Sequence, residues 1–309
     1  MRKIILLSFL LFLISFAADA QRRRHSSFNH KKPPYRYEYI FSLGATNFLG
    51  DLGGANQIGT NGLKDLEYTL TRPALGISMR WKVQQFFSVK ANTYWGIIRG
   101  DDKLTQEPAR NNRQLNFKSN IFELSAQVEF NFIKEQKGHI YKIKGVRGMQ
   151  HKDRQIYLFG GGGGVYFNPK GKYKDGQWYA LQPLGTEGQG IFPGTKKYSR
   201  VTGLISVGGG FRFAINRYWG VGFELGMRKT FTDYMDDVST SYATQTLIAN
   251  GASPMAVYFA DPTEGHGTIP SGTYEGQQRG DHTDKDAYMF GVFTVGYKVM
   301  YKKRSRSKF

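Results

Sequence analysis

The stretch YLFGGGGGVYFN, residues 157–168, sets the run Gly160–Gly164 between aromatic and aliphatic residues. It reads either as a loop that wraps a phosphate or as the middle of an extended strand. The dinucleotide fingerprint needs a third glycine at position 165, which is Val165, and no Gly-Lys-Ser/Thr follows for a nucleoside triphosphate loop. Both nucleotide readings fail. The apolar flanks also weaken the reading as a flexible linker. A strand remains, in which glycine leaves space for bulky side chains opposite and lets the chain curve sharply. A second run, Gly208–Gly210, lies inside another extended segment that can face the first as an antiparallel neighbour.

Seven other segments alternate with the period of two that marks a strand with one oily and one polar face. Tyr37, Tyr39, Phe41 and Leu43 oppose Glu38, Ser42 and Gly44, and Leu75, Ile77, Met79, Trp81 and Val83 oppose Gly76, Ser78, Arg80 and Lys82. Phe87, Val89 and Trp95 oppose Ser88, Lys90 and Asn92. The fourth is the cleanest, with Phe122, Leu124, Ala126, Val128, Phe130 and Phe132 against Glu123, Ser125, Gln127, Glu129 and Asn131. The last three are centred on Val201–Phe213, Trp219–Arg228 and Phe293–Tyr301. With the glycine-rich segment they make eight strands, each near or above the ~9–11 residues a tilted membrane strand needs. The expected fold is all-β, an eight-stranded antiparallel up-and-down transmembrane β-barrel with long extracellular loops.

Composition agrees. The 309-residue chain has no cysteine, 19 Tyr, 23 Phe, 38 Gly and 10 Pro, a strand-forming mixture without disulfides or thiolate metal sites. Its mean hydropathy of -0.47 does not argue for solubility, because alternating strands cancel in any average. Residues 1–20 combine Arg2 and Lys3, an apolar run and Ala18-Asp19-Ala20, the pattern of a cleaved signal peptide. The expected order is the signal peptide (1–20), a basic periplasmic N-terminal tail (21–35), the barrel (36–301) and a basic C-terminal tail (302–309).

Connections alternate in length. Gln84-Gln85 and Asn216-Arg217 read as tight inner turns, whereas 49–71, 100–114, 169–199 and 232–286 read as long outer loops. The 134–153 connection is long where a short inner turn is expected. TQTLIAN (244–250) and PMAVYFA (254–260) read as a hairpin in the last outer loop. Tyr37, Trp81, Phe87, Phe132, Tyr157, Phe213, Trp219 and Tyr301 cluster at the proposed periplasmic strand ends as an aromatic girdle.

The inward set holds Glu38, Glu123, Glu129 and Glu224 against Arg80, Lys90, Arg212 and Arg228. Matched signs predict an ion-paired lumen, since unpaired charge there is costly, and eight strands leave room for little else. No catalysis or cofactor is expected. The histidines (His25, His30, His139, His151, His266, His282) all fall in tails or connections, without metal-ligand spacing. Asp233, Asp236 and Asp237, and likewise Asp281, Asp284 and Asp286, lack the glycine and terminal glutamate of a calcium loop. They read as solvated loop acids, so no metal site is expected.

The formal net charge is +19, and loss of Arg2, Lys3 and Asp19 with the leader makes it +18. The bases concentrate in three places: Arg22, Arg23, Arg24, Lys31, Lys32 and Arg36; Lys134, Lys137, Lys142, Lys144, Arg147, Lys152 and Arg154; and Lys298, Lys302, Lys303, Arg304, Arg306 and Lys308. With Arg217, and after subtracting Glu135 and Asp153, they account for the whole mature charge. The last outer loop is acidic instead. A periplasmic docking face is expected, carried by Lys137, Lys142, Lys144, Arg147, Lys302, Lys303 and Arg304. Anionic head groups or cell-wall polymer are equally good partners on charge alone, and nucleic acid is not expected.

Four stretches, GATNFLGDLGG (44–54), TRPALGISMR (71–80), QPLGTEGQG (182–190) and RKTFTDYMDDVSTSY (228–242), resemble the PorG-like outer-membrane barrels of Bacteroidota. That resemblance, over about residues 36–301, implies an outer-membrane barrel associated with the periplasmic ring of the type IX secretion system. The ring's proteins, an outer-membrane lipoprotein and its partner, would then be the docking partners. An adhesion barrel working through its extracellular loops is the rival reading.

Overall fold

The computed structural model describes residues 35–50, 52, 68–84, 86–104, 113–132, 154–216, 218–262 and 275–300. The expected signal peptide, the N-terminal tail before Tyr35, the 134–153 connection, Gln85, Arg217, Tyr301 and the C-terminal tail lie outside the described residues.

Nine strands run in chain order: β1 (Tyr35–Leu49), β2 (Arg72–Lys82), β3 (Phe87–Asp101), β4 (Asn116–Asn131), β5 (Arg154–Lys172), β6 (Trp178–Ala180), β7 (Val201–Ala214), β8 (Trp219–Thr230) and β9 (Ala287–Met300). Eight pair antiparallel around a ring, β1-β2-β3-β4-β5-β7-β8-β9, and β9 closes onto β1. The short β6 pairs with the far end of β5. The chain therefore forms a closed, eight-stranded, up-and-down antiparallel barrel, which leaves no barrel strand with an open edge.

Its polarity is the reverse of a water-soluble core. Phe41, Leu124 and Phe293 are 60%, 68% and 69% exposed on the outer wall, whereas Lys90 and Glu129 are wholly buried inside. A continuous apolar exterior of this kind is stable against hydrocarbon rather than water, so the barrel is transmembrane. No described helix is long and apolar enough to cross a membrane; the strands do so.

The registers place several chain ends on one rim. Tyr35 pairs with Met300, Asn131 with Tyr157, and Arg154 with Phe213. Both short turns lie there too. The Val83 and Gln84 amides donate to the Phe87 carbonyl, and Asn216 Oδ1 accepts from the Tyr218 and Trp219 amides. The long loops leave from the opposite rim.

The glycine run is strand throughout. Gly160 faces open space, but a Cβ on Gly161 would lie 2.6 Å from Gln127 Cα and one on Gly163 2.6 Å from Ser125 Cα. Only glycine lets β5 approach β4 so closely. On the neighbouring strand β7 the second run makes room for rings: a Cβ on Gly210 would lie 2.7 Å from the Tyr157 hydroxyl, and one on Gly208 2.5 Å from Phe159 Cζ.

Two expectations are corrected. Residues 244–250 and 254–260 are not a hairpin but two short helices, α1 (Thr244–Ala249) and α2 (Pro254–Ala260). Pro254 occupies the first turn, where it costs no hydrogen bond, and Ser253 Oγ caps the helix by accepting from the Ala256 amide at 3.2 Å. Ala256, Phe259 and Ala260 are buried at helical spacing. Tyr157 does not belong to the girdle. It is 1% exposed and points inward, while Ile156 and Leu158 take the lipid face. Tyr37, Trp81, Phe87, Phe132, Phe213 and Trp219 are exposed near that rim.

Candidate functional site

Two buried polar assemblies stand out, one in the lumen and one beneath the loops. In the lumen, alternation on six strands turns the charged residues toward each other. Arg80 is the hub: its Nε and Nη2 reach the two Glu129 carboxylate oxygens at 2.7 and 2.9 Å, and Nη1 reaches Glu38 at 2.7 Å. Arg212 lies 3.6 Å from both Glu38 and Glu129 and donates to Asn131 Oδ1 at 2.6 Å. Its guanidinium sits 4.6 Å from the Tyr157 ring centre. Further in, Lys90 Nζ pairs with Glu224 at 2.6 Å, and the Tyr157 hydroxyl donates to the same oxygen at 2.9 Å. Next, Arg228 lies 3.4 Å from Glu123, which also accepts from Tyr288 and Ser125.

The lumen changes character toward the loops. Tyr94, Ile98, Phe117, Ile121, Val165, Phe167, Tyr288 and Phe290 form an apolar core that continues into Phe48, Leu52, Leu115, Leu181, Met235, Val238 and Phe259. Sequence reasoning missed this zone. Its signal was the loss of alternation in Ala287–Phe290, where consecutive residues are all buried because both faces are covered.

Over that core the four long connections knot together. Glu187 accepts from the Ser239 amide at 2.9 Å, the Thr240 hydroxyl at 2.8 Å and Arg279 Nη1 at 2.7 Å. Asp237 accepts from the Thr186 hydroxyl at 2.5 Å and the Tyr198 hydroxyl at 2.6 Å. Asp236 holds the Leu52 and Val238 amides, both at 3.0 Å, and Asp286 holds the Met235 amide at 2.8 Å. Arg113 pairs with Asp102 and donates to the Arg279 carbonyl at 2.8 Å. Gly185, Gly188 and Gly190 all have positive φ, which winds the 182–190 loop tightly enough to present Glu187 inward.

These contacts correct the reading of the loop acids. Asp233, Asp236, Asp237 and Asp286 are buried, at 3% exposure or less, whereas Asp281 is partly exposed and Asp284 is exposed. Burial is tolerated because backbone amides and hydroxyls donate to Asp236, Asp237 and Asp286. The acids act as loop staples. Among the described residues no group of three or more His, Cys, Asp or Glu side chains is arranged to hold a metal ion. The docking residues Lys137, Lys142, Lys144, Arg147, Lys302, Lys303 and Arg304 lie outside the described residues.

The knot makes the cap sensitive to pH. Burial raises the Asp237 carboxyl from 3.8 to about 6, against the opposing pull of Arg279, Thr186 and Tyr198 and with help from Glu187. A carboxyl raised in the folded state contributes its full stability below the unfolded value and loses it as pH climbs through the folded one. Cap stability is therefore expected to fall between about pH 4 and pH 7, by at most roughly 3 kcal/mol. Asp237→Asn keeps an oxygen acceptor, suits the backbone φ of 68° and carries no charge. It is expected to flatten that pH dependence and leave the cap at least as stable at pH 7.5. Hydrogen exchange of amides 234–240, corrected for intrinsic rates, measures both effects.

Residues 37–144 match the family described as "Domain of unknown function (DUF6089)". No curated protein matches the chain. Similar solved structures include Ail, the attachment invasion locus protein of Yersinia pestis, with 10% identity over 85% of this chain and 99% of that chain and a TM-score of 0.37. Neisserial surface protein A has 7% identity, coverage of 85% and 97%, and a TM-score of 0.36. The outer membrane protein OprG from Pseudomonas aeruginosa has 10% identity, coverage of 86% and 98%, and a TM-score of 0.33. With likenesses this distant, the fold rests on the strand registers and the inverted polarity: an outer-membrane-type barrel whose lumen is filled and whose loops are tied into a cap.

Proposed function

We propose that this chain is a non-enzymatic outer-membrane anchor that helps assemble a protein secretion complex, of the type IX kind implied by the PorG-like resemblance. It docks ring proteins, including an outer-membrane lipoprotein, through a basic periplasmic face. The observation that carries the proposal is the placement of charge. The N-terminal tail, the 134–153 connection and the C-terminal tail hold most of the excess lysine and arginine, and the strands leading into them end on one rim. The ion-paired lumen adds weight, because a filled barrel works through its rims rather than as a conduit. Many weak exposed pairs acting together steer and hold an acidic partner.

The test is crosslinking and pull-down from outer-membrane fractions. Neutralising Lys137, Lys142, Lys144 and Arg147 together with deletion of 302–309 is expected to cut recovery of ring proteins about tenfold or more. Unchanged recovery removes the docking proposal. The knotted cap favours one rival, an adhesion barrel that presents its outer loops on a firm platform. That reading predicts lost surface binding with secretion intact when the last loop is trimmed. The trim belongs within 263–274, because Thr240 and Arg279 on either side hold the knot.

A further inference from the structure

Where the outer wall meets the loop-bearing rim, the registers of β3, β4 and β5 align three outward-facing rows. Trp95, Phe122 and Tyr166 form the last aromatic row of the apolar belt, Ile97, Asn120 and Asn168 form the next, and Arg99, Lys118 and Lys170 form the one above. Directly opposed residues sit about 5 Å apart, and each row lies roughly 7 Å beyond the last. Three cations thus stand side by side two rows beyond the last aromatic row of the lipid-facing wall.

Like charges paired across strands repel, and little on the protein offsets them. Among the described residues, Asp101 is the one carboxylate paired to the row, at 3.1 Å from Arg99; Lys118 and Lys170 have no carboxylate partner. The side chains are nevertheless arranged. Trp178 on β6 lies between Arg99 and Lys118, with both charges 6.0 Å from its ring centre. Arg200 flanks the row, 3.4 Å from Asn168 Oδ1 and 5.9 Å from the Tyr166 ring centre. Indole at this depth anchors at the head-group level, and β6 exists only as a short strand laid on the far end of β5, where Lys170 pairs with Ala180. We propose that Arg99, Lys118 and Lys170, with Trp178 and Arg200, form a binding site for a net-anionic, phosphate-bearing lipid head group of the leaflet on the loop side. Phosphate oxygens supply the missing counter-charge, Arg99 and Arg200 offer forked donors to them, and the acyl chains descend along the Trp95-Phe122-Tyr166 row. The site requires the barrel to be embedded in lipid but not the periplasmic docking proposed above.

Native mass spectrometry of the full-length protein in neutral detergent tests this, with diphosphoryl lipid A as the probe. Wild type is expected to retain it, to retain phosphatidylcholine poorly, and to hold the lipid against excess inorganic phosphate. The Lys118→Gln/Lys170→Gln variant is expected to retain about tenfold less, while Lys229→Gln/Lys285→Gln, exposed at the β8 side of the barrel, retains as much as wild type. Heat-shifted gel migration of both variants confirms folded barrels. Equal retention by wild type and Lys118→Gln/Lys170→Gln overturns the proposal. So does equal retention of phosphatidylcholine, and displacement by inorganic phosphate would make the site one for free anion rather than lipid.

Discussion

Replacing Arg80 with methionine is expected to cost the barrel about 3–5 kcal/mol. Arg80 makes three short charge-assisted bonds, two to Glu129 and one to Glu38, and all three side chains are sealed from solvent at 3% exposure or less. Without it, two buried carboxylates face each other with Arg212 3.6 Å from each as the nearest remaining cation. Arg212 cannot swing in freely, because its Nη2 is engaged by Asn131. The carboxylates must then protonate, draw in water or unfold the strand ends. The double variant Arg80→Met/Glu129→Gln removes the stranded charge and leaves Glu38 with Arg212 as its counter-ion, so it is expected to recover most of the loss, to within roughly 1–2 kcal/mol of wild type. Urea unfolding in lipid vesicles, read by the heat-dependent gel shift, measures both. An Arg80→Met midpoint equal to that of wild type would mean that the hub does not hold the lumen together.

Strand alternation carried most of the architecture in the sequence, because a membrane barrel needs every second residue to be apolar and its inward residues to be mutually compatible. The parity of Glu38, Arg80, Lys90, Glu129, Arg212 and Glu224 was legible for that reason. Parity gives out where side chains do. The run from Gly160 to Gly164 has no alternating signal, and Tyr157 at its edge was placed outside on aromatic clustering although its parity follows Phe159. The cap was the least legible part. An acid-rich stretch such as Asp236-Asp237 reads as solvated until its donors are known, and those donors come from two distant connections, Leu52 from 49–71 and Thr186 and Tyr198 from 169–199. One hint was local: Met235 and Val238 bracket the pair and are both buried. Another was the Ser253-Pro254 pair, a helix start that outweighs the strand-like composition of a seven-residue segment.

The glycine run offers the sharpest test of the barrel itself, because neighbouring glycines should respond in opposite ways to one substitution. Gly161→Val places a branched side chain against the Ala126 carbonyl oxygen and Gln127 Cα of β4, and neither backbone atom can move without breaking the ladder from Lys118–Lys170 to Asn131–Tyr157. Overpacking against side chains alone costs about 1–3 kcal/mol, and a rigid partner strand raises that cost. The variant is expected to yield no heat-shifted, membrane-inserted species. A Cβ at position 160 meets nothing within 4 Å, which leaves room for Gly160→Val. It adds a β-branched residue to the lipid face, where strand propensity and apolar contact both favour it, so its stability is expected to stay within ~1 kcal/mol of wild type or to rise. Refolding into vesicles followed by gel migration separates the two outcomes. Equal tolerance at both positions would break the β4–β5 register. That pairing joins the four strands before the long basic connection to the four after it, and without it the sheet does not close and the inward charges lose the walls that bring them together.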